Sequence, residues 1–296
     1  MLYTGELASL LVAVLWTGTS VSFSEAAIRV GSVHVNIVRM LFAWTYLTLT
    51  ILVMGFPVSL SSTQILYLAI SGLIGLVFGD TFLFKAYQHI GARLSMLIMS
   101  LAPPISAFFA YFLLNERLSF IGIFGIIVTL FGISIVILQR EERPTSKYKI
   151  SKIGILYAFF GAIGQGVGLI FAKLAMNIGE INGFVATFYR ISTAILVFYP
   201  IYVLATKLPN PFKGFQGNKK ALTFTIAGSI IGPYLGITFS MIAIANTKVG
   251  IASTIMASIP VLMLPVAKYY YKEKLSWKSI IGAVLAVAGI AILFWD

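Results

Sequence analysis

Residues 75–86 have the sequence GLVFGDTFLFKA, and residues 232–243 have the sequence GPYLGITFSMIA. Glycine, phenylalanine and alanine recur in the second stretch at the places that they hold in the first, always 157 residues later. Self-similarity at a fixed offset indicates an internal repeat, in which one structural unit is present twice. The chain is therefore predicted to contain two related halves.

The repeat extends well beyond these two stretches. The same offset relates Met99 to Met256, Pro103 to Pro260, Ala110 to Ala267, ERLS at 116–119 to EKLS at 273–276, and Gly125 and Gly132 to Gly282 and Gly289. Nearer the start of each half the offset is shorter, and it pairs Arg39 with Arg190 and Trp16 with Gln165. A match without gaps over so many residues makes chance a poor explanation.

The composition excludes a water-soluble protein. Of the 296 residues, 59% are hydrophobic and 10% are charged, whereas soluble domains carry roughly 25% charged residues. The net charge of +12 does not indicate nucleic-acid binding, because the cations lie in short connectors between apolar runs. With no cysteine and two histidines, neither a thiolate nor a histidine-rich metal site is expected, and no cofactor is predicted.

The apolar runs predict ten membrane-spanning helices, because a bilayer core needs about 20 apolar helical residues. The predicted spans 1 to 10 are about 5–25, 33–54, 64–85, 93–114, 118–138, 152–175, 182–206, 221–243, 249–271 and 276–295. The expected fold is an all-α, polytopic membrane protein. Its expected location is the cell membrane, which is the inner membrane if the source is a Gram-negative bacterium.

The two halves are predicted to be inverted relative to each other. We expect a first five-helix repeat at 1–139, a basic linker at 140–151 and a second repeat at 152–296. Because five is an odd number, two copies in one chain enter the membrane with opposite orientations. Inverted repeats of this kind are typical of secondary transporters, whose substrate site lies near mid-membrane between the halves.

These features together resemble the ten-span EamA family of the drug/metabolite transporter superfamily over essentially the whole chain. The resemblance rests on the five-span repeats, on Arg39 and Arg190 early in spans 2 and 7, on Pro103 and Pro260, and on the Glu-x-Leu-Ser steps before spans 5 and 10. One departure is Trp16-Thr17-Gly18, where the family usually has Trp-Gly. The resemblance implies export or exchange of amino acids or related metabolites through a cavity between spans 1–4 and 6–9.

The orientation in the membrane is left open by two indications that disagree. Connectors after odd-numbered spans carry fifteen lysines and arginines, and those after even-numbered spans carry two, Arg117 and Lys248. Because cytoplasmic loops are enriched in these residues, the count favours termini outside the cytoplasm. The family resemblance implies termini inside.

Four charged residues fall within or near the ends of predicted spans, namely Arg39, Asp80, Lys173 and Arg190. Charges at membrane depth usually face a partner or a cavity. Asp80 is expected to pair with Arg39, Lys85 or Arg29, either as a structural ion pair or as a switch linked to protons or substrate. Arg190 is a candidate substrate ligand, with anchoring to lipid phosphates as the alternative.

Two facing helical stripes are candidates for the substrate site. Trp16, Ser20 and Ser24 lie on one face of span 1, and their repeat partners in span 6 are Gln165, Leu169 and Lys173. In this interpretation Trp16 stacks on an apolar or aromatic group and Lys173 meets a carboxylate. The alternative is ordinary packing between helices.

Glycines and prolines predict close packing and bending. The Gly-x-x-x-Gly patterns that begin at Gly75 and Gly228 favour tight helix contacts inside each repeat, with homodimer formation as the alternative. Pro103 and Pro260 break the hydrogen-bond ladder in spans 4 and 9, either as gating hinges or as static bends. Glu116 is expected to cap the helix that follows it or to pair with a basic neighbour.

The sequence thus predicts a secondary carrier, and not an enzyme, that moves a small amphipathic metabolite by alternating access. Amino acids are the first substrate hypothesis, and protons are the favoured coupling ion because Asp80 is the acid placed well within a span. The alternatives are a nucleotide-sugar or sugar-phosphate exchanger, a passive channel, and a lipid-handling protein or membrane enzyme. The expected partners are the lipid bilayer and a small-molecule substrate, with the protein a monomer or homodimer.

Overall fold

The computed structural model describes residues 3–138, 151–269 and 276–295. The predicted linker at 140–151, apart from Ser151, and the turn residues 273–275 lie outside the described residues.

The described residues form helices joined by short connections. In chain order they are α1 (Thr4–Val30), α2 (Ser32–Met54), α3 (Ser62–Gly72), a π-helical segment (Leu73–Gly79), α4 (Asp80–Met99), α5 (Ala102–Leu113), α6 (Phe120–Leu138), α7 (Lys152–Ile178), α8 (Gly183–Thr206), a 3₁₀ turn (Pro211–Phe215), α9 (Lys219–Ser229), a second π-helical segment (Ile230–Gly236), α10 (Ile237–Asn246), α11 (Val249–Met256), α12 (Ile259–Tyr269) and α13 (Trp277–Leu293).

These helices confirm the all-α fold and the predicted spans. Within the described residues, seven helical stretches are long and apolar enough to cross a membrane, and three shorter apolar helices accompany them. Span 3 is continuous from Ser62 to Gly91, and the left-handed backbone of Gly91, with φ of 73°, separates it from span 4. Glycine tolerates this conformation because it has no Cβ.

Local sequence chemistry fixes the helix ends. Ser61 caps α3 through its hydroxyl while the Gln64 side chain accepts from the Ser61 backbone, a reciprocal capping box. Asn218 and Ser276 accept from the first turns of α9 and α13 in the same way. These caps satisfy backbone donors that a helix start otherwise leaves without partners.

The repeat that opens the sequence is also a structural repeat. The π-helical segments Leu73–Gly79 and Ile230–Gly236 lie 157 residues apart, directly before Asp80 and Ile237. A π segment widens the helix locally, and such segments occur frequently at functional sites. Both halves therefore carry the same local distortion in their third span.

Spans 4 and 9 are broken at matching places, as their prolines predicted. A turn at Ser100 and Leu101 separates α4 from α5, and one at Ala257 and Ser258 separates α11 from α12. Pro103 lies in the first turn of α5, where its missing N–H costs no helical hydrogen bond. Each broken span is thus two short helices joined by a two-residue turn.

The packing of α6 against α13 confirms that the halves are inverted. A Cβ on Gly125 would lie 3.2 Å from the Gly289 carbonyl oxygen, and one on Gly132 would lie 2.8 Å from the Ala286 Cα. The residue numbers rise along α6 while those of its partners fall along α13, so the two helices are antiparallel. Since these are the fifth spans of the two repeats, the repeats have opposite orientations.

The Gly-x-x-x-Gly surfaces pack between the halves, so the prediction that they pack inside each repeat was wrong. A Cβ on Gly164 would lie 2.5 Å from the Gly79 Cα, and one on Gly168 would lie 2.9 Å from the Gly75 Cα. The third span of the first half therefore packs backbone to backbone on α7, the first helix of the second half. Matched spacing located the surfaces but did not reveal their partners.

The reciprocal contact joins α1 to the third span of the second half. A Cβ on Gly232 would lie 2.7 Å from a Thr19 methyl carbon, and one on Gly236 would lie 2.5 Å from the Trp16 Nε1. Each half thus gives its first helix to the other half. The central space of the molecule therefore lies among four spans, which are the first and third spans of each half.

Candidate binding cavity

A central cavity of about 110 Å³ lies where the two inverted halves meet. A site for one water molecule needs roughly 10–15 Å³ on this measure, so the cavity has room for a small solute. Its lining includes most of the candidate site residues but neither Lys173 nor Ser24; the candidates that line it are Trp16, Ser20, Arg39, Asp80, Pro103, Gln165, Arg190 and Pro260. The structure therefore brings together residues from both halves of the sequence.

The rest of the wall is mostly apolar. Leu83, Phe84 and Met96 of the first half line it together with Met256 and Ile259 of the second. Small-molecule sites generally combine an apolar lining with a few fixed polar groups. This lining suits a solute with both an apolar body and a charged group.

Arg39 and Asp80 form the buried ion pair that the sequence predicted. The Arg39 Nη2 lies 2.5 Å from the Asp80 Oδ2, and both residues are buried. The Arg39 Nε donates to the Asn36 Oδ1 at 2.9 Å, and its guanidinium lies 4.8 Å from the Phe84 ring centroid. This guanidinium therefore has an anion, an amide oxygen and an aromatic ring as partners, which offset the cost of burying its charge.

Arg190 occupies the matching place in the second half and has much poorer partners. It is 2% exposed, and its Nη1 lies 3.2 Å from the Met241 Sδ, a weak acceptor. Within the described residues its Nε has no hydrogen-bond partner and no carboxylate lies within 4.0 Å of it. Arg190 is thus a buried cation in the cavity wall that makes no ion-pair contact among these residues, and the charge of Asp80 acts on it only from beyond 4.0 Å.

Hydrogen bonds and close packing position the polar residues of α1 and α7. Ser20 donates to the Thr17 carbonyl oxygen at 2.8 Å, and Trp16 lies against Gly236. Gln165 lies beside Gly75, since a Cβ there would be 3.8 Å from the Gln165 Oε1. Ser24, the last residue of the predicted stripe, is buried and does not belong to the cavity lining.

Lys173 lies outside the cavity, contrary to the proposed role in binding a carboxylate there. Its ammonium group donates to the carbonyl oxygens of Ile244 and Thr247 at the end of α10. A cation at a helix C-terminus satisfies free carbonyls and favours the helix dipole. The helical stripe predicted that Gln165 and Lys173 both line the cavity. Gln165 lines it, whereas Lys173 is two turns farther along α7 and does not.

Around Lys173 lies a set of polar contacts that we call the latch, comprising Glu6, Glu116, Lys173 and Thr247. The Thr247 hydroxyl donates to the Glu6 Oε1 at 2.7 Å, and the Val249 N–H donates to the Glu116 Oε2 at 2.7 Å. Glu116 therefore caps α11 of the other half instead of the helix that follows it. The latch joins elements of both halves at the end of the molecule where α1 begins.

The latch lies well away from the cavity centre. Trp16 is ten residues beyond Glu6, which is about 15 Å along α1 at 1.5 Å per residue. Between the two levels, the hydroxyls of Ser106 and Ser253 lie 2.7 Å apart and connect spans 4 and 9. These contacts connect the two halves between the cavity and this end.

Burial raises the pKa of Glu116, because removing a carboxylate from water disfavours its charged form. The hydrogen bond from the Val249 N–H and the charges of Lys173 and Lys248 oppose this shift in part. Glu116 lies in the connection between α5 and α6, and its hydrogen bond joins this connection to the start of α11.

Ile237 is a cavity residue that the sequence-based prediction missed. It lines the wall between the halves and is 6% exposed. The signal that would have found it is the repeat itself, because adding 157 to Asp80 leads to Ile237. An aspartate in one half therefore corresponds to an isoleucine in the other.

Within residues 3–138, 151–269 and 276–295, no group of three or more histidine, aspartate or glutamate side chains is placed to hold a metal ion. The described carboxylates near the cavity and latch are already engaged by arginine, threonine or a backbone N–H. The polar chemistry of the cavity is therefore that of guanidinium, carboxylate, amide and hydroxyl groups.

A comparison with protein families finds a match to the EamA-like transporter family at residues 3–138 and again at 152–295. A solved crystal structure superposes with a TM-score of 0.74 at 19% identity, and the match covers 99% of this chain and 96% of that one. At this identity the superposition shows that the fold is shared.

Two curated proteins are also similar to the chain. An uncharacterized transporter of Archaeoglobus fulgidus is 20% identical over 222 residues, which are 75% of each protein. A probable magnesium transporter of Arabidopsis thaliana, NIPA7, is 29% identical over 105 residues, which are 35% of this chain and 32% of that protein. The chain thus matches about a third of the length of the Arabidopsis protein.

Proposed function

Because the chain belongs to the EamA-like transporter family and is a multi-pass membrane transporter, we propose that it exports or exchanges small metabolites by alternating access. Amino acids are the first class of substrate, and transport is driven by a gradient of protons or of a second substrate. The transporter works without a cofactor, as a monomer or a homodimer in the cell membrane.

The observation that carries this proposal is the cavity at the interface of the two inverted halves. Because the halves are inverted copies, contacts that close one end have counterparts that close the other. Breaking one set while forming the other exposes the cavity to each side of the membrane in turn. The latch closes the end at which α1 begins, and the breaks in spans 4 and 9 supply the hinges.

The cavity chemistry favours an amphipathic substrate. Trp16 and the apolar wall accept an aliphatic or aromatic side chain, while Arg190 and Gln165 offer donors to a carboxylate. Ser20 supplies an acceptor for an ammonium group. An amino acid uses all of these groups at once, whereas a neutral hydrocarbon leaves the buried charges without partners.

Proton coupling operates through Asp80. When a proton reaches this carboxylate, its pairing with Arg39 weakens, and Arg39 is free to change partner as the halves rearrange. The ion pair therefore joins the protonation of Asp80 to the relative movement of spans 2 and 3.

Counterflow in proteoliposomes tests the transport proposal. Vesicles loaded with unlabelled amino acids should accumulate labelled amino acid in a saturable manner, and substrate on the opposite side should accelerate the flux. A flux that is linear in concentration and insensitive to substrate on the opposite side would indicate a passive channel and contradict the proposal.

The same vesicles test proton coupling. Asp80→Asn should abolish accumulation driven by a pH gradient and leave exchange intact. Glu25→Gln is the matched control, because Glu25 pairs with Arg29 one turn away at the protein surface. Gradient-driven accumulation that persists in Asp80→Asn would overturn the coupling role of Asp80.

A sugar-phosphate or nucleotide-sugar exchanger is the second candidate, favoured by two arginines in the cavity wall. Labelled hexose phosphate supplied in the counterflow assay distinguishes it from an amino-acid carrier. The name of the Arabidopsis relative also suggests Mg²⁺ as a cargo. With two arginines and one aspartate, this cavity wall disfavours a divalent cation, so Mg²⁺ should neither be transported nor compete.

A further inference from the structure

We propose that Arg190 binds the carboxylate of the substrate, and we call this place the carboxylate seat. The substrate carboxylate pairs with Arg190 as the Asp80 carboxylate pairs with Arg39. This proposal rests on the proposed transport function and deepens it by naming the recognised group. The substrate class is a small carboxylic acid with an apolar body. The substrate carboxylate forms a second ion pair, in which the protein supplies the cation, Arg190, and the substrate supplies the anion.

The repeat makes the two arginines equivalent. Arg39 and Arg190 lie early in the second span of their halves, and both line the cavity. The spans that carry them, α2 and α8, pack against each other across the interface. The third spans bring Asp80 to Arg39 in one half and Ile237 to the matching place in the other. The protein therefore places two cations and one internal anion around one space.

The partners of the two guanidinium groups differ sharply. Arg39 binds an aspartate at 2.5 Å and an asparagine at 2.9 Å. Arg190 has a thioether at 3.2 Å and an Nε without a partner among the described residues. A buried cation without an anion is unfavourable, because its lost hydration is not replaced.

A second unsatisfied atom lies in the same wall. In the part of the chain that the structure describes, the buried side-chain polar atoms without a hydrogen-bond partner are the Arg190 Nε and the Thr19 Oγ1. Both residues line the central cavity. Buried polar groups are nearly always satisfied in native proteins, so their coincidence in one cavity points to a ligand that supplies the missing oxygens.

The surroundings of Arg190 indicate what kind of anion fits. Its Nη2 approaches the π segment so closely that a Cβ on Gly75 would lie 3.2 Å away. The Met241 sulfur lies beside its Nη1, and the apolar Leu76 and Leu169 line the same cavity. One guanidinium in an apolar setting matches one carboxylate, in the bidentate geometry that arginine favours. A phosphate dianion would bring twice the charge to a single cation.

Binding to the purified protein, measured by ligand-induced thermal stabilisation and by competition, tests the seat. The probes are leucine, phenylalanine and their 2-oxo acids, compared with phenylalaninamide and phenethylamine, which lack the carboxylate. We expect the best carboxylate to bind at least ~10-fold more tightly than its amide, which corresponds to one ionic hydrogen-bonded contact. Equal binding of acid and amide, or no binding by any of these acids, would overturn the proposal.

Ile237→Asp tests the proposed equivalence directly, because it supplies Arg190 with the carboxylate that its half lacks. We expect this variant to lose at least ~10-fold in affinity for the acids and to lose the preference for acid over amide. We also expect it to raise the Tm of the ligand-free protein, by about 2 °C or more. Ile237→Asn has a similar shape without the charge, and it should keep the preference for acid over amide.

Arg190→Gln should also remove the preference for acid over amide. If Arg190→Gln fails to fold, Ile237→Asp still decides, since unchanged acid binding with no rise in Tm would overturn the proposal. The outcome is separable from that of the transport proposal. Acid-selective binding without counterflow would contradict the transport proposal and support the carboxylate seat. Counterflow of amines and amides with no effect of acids would support transport and contradict the carboxylate seat.

Discussion

The two halves of the chain share one backbone design and differ in the charges placed on it. Both have a π-helical third span, a broken fourth span and a buried arginine in the second span. The first half pairs its arginine with Asp80, whereas the second has Ile237 at that place. The candidate site therefore lies where the two halves share one backbone arrangement but carry different charged side chains.

The ends of the molecule show the same kind of difference. At the end where α1 begins, Lys173 of α7 binds two carbonyl oxygens at the end of α10, in its own half. Its repeat partner is Ser24, whose short hydroxyl cannot span such a distance. The partner of Glu116 is Glu273, which lies outside the described residues. Two ends built on one design thus carry different polar side chains.

The largest expected effect comes from removing each arginine in turn. Arg39→Met leaves Asp80 buried without its cation, and we expect a loss of about 3–5 kcal/mol in the free energy of unfolding. Arg190→Met removes a cation that has no anion in contact among the described residues, so we expect no loss or a gain in stability. Thermal unfolding in detergent measures both, and equal losses would refute the contrast between the halves.

The next effect concerns the two glycine interfaces. A Cβ on Gly164 meets the backbone of Gly79 at 2.5 Å, whereas one on Gly236 meets the side chain of Trp16 at the same distance. Because a backbone cannot move aside as a side chain can, we expect Gly164→Ala to cost about 1–3 kcal/mol and Gly236→Ala to cost less. Gly236→Ala should instead lower substrate affinity by displacing Trp16. The reverse ranking of Tm values would contradict this assignment.

Lys173→Met should weaken the latch, whereas Ser24→Ala at the matching place should change little. Losing an ionic donor to two carbonyls costs about 1.5 kcal/mol or more, roughly a factor of ten in the equilibrium between closed and open forms. The chain has no cysteine, so Ser106→Cys gives a single labelling site beneath the latch. Faster maleimide labelling in Lys173→Met, and unchanged labelling in Ser24→Ala, is the expected result.

The smallest expected effect is a pH dependence of closure through Glu116. Because its pKa is raised in the folded protein, the folded state binds the proton more tightly than the unfolded state does. Stability from this group is therefore present at low pH and is lost as the pH rises above the ordinary glutamate value of about 4.3. Glu116→Gln should remove this slope from the Tm measured against pH, and an identical slope in both proteins would contradict it.

The sequence allowed much of the fold and of the cavity to be predicted. Apolar runs gave the spans, because a bilayer demands a fixed helix length, and the repeat gave their inversion, because five spans are an odd number. Most of the candidate residues line the cavity because a 3.6-residue period and a mid-span position aim them at the interface. Lys173 departs from this pattern, since its long side chain reaches past the cavity level to the carbonyls that end α10.

The sequence by itself determined the membrane-spanning helices, the two inverted halves and the presence of buried charges, all of which follow from local composition and periodicity. Only the tertiary structure decided which partner each surface and charge has. The glycine surfaces meet the other half, Glu116 caps a helix of the other half, and Arg190 faces the cavity without an anion among the described residues. The physical reason is that contacts between helices depend on how segments that are far apart in the sequence pack together. The spacing of residues along one segment does not encode this packing.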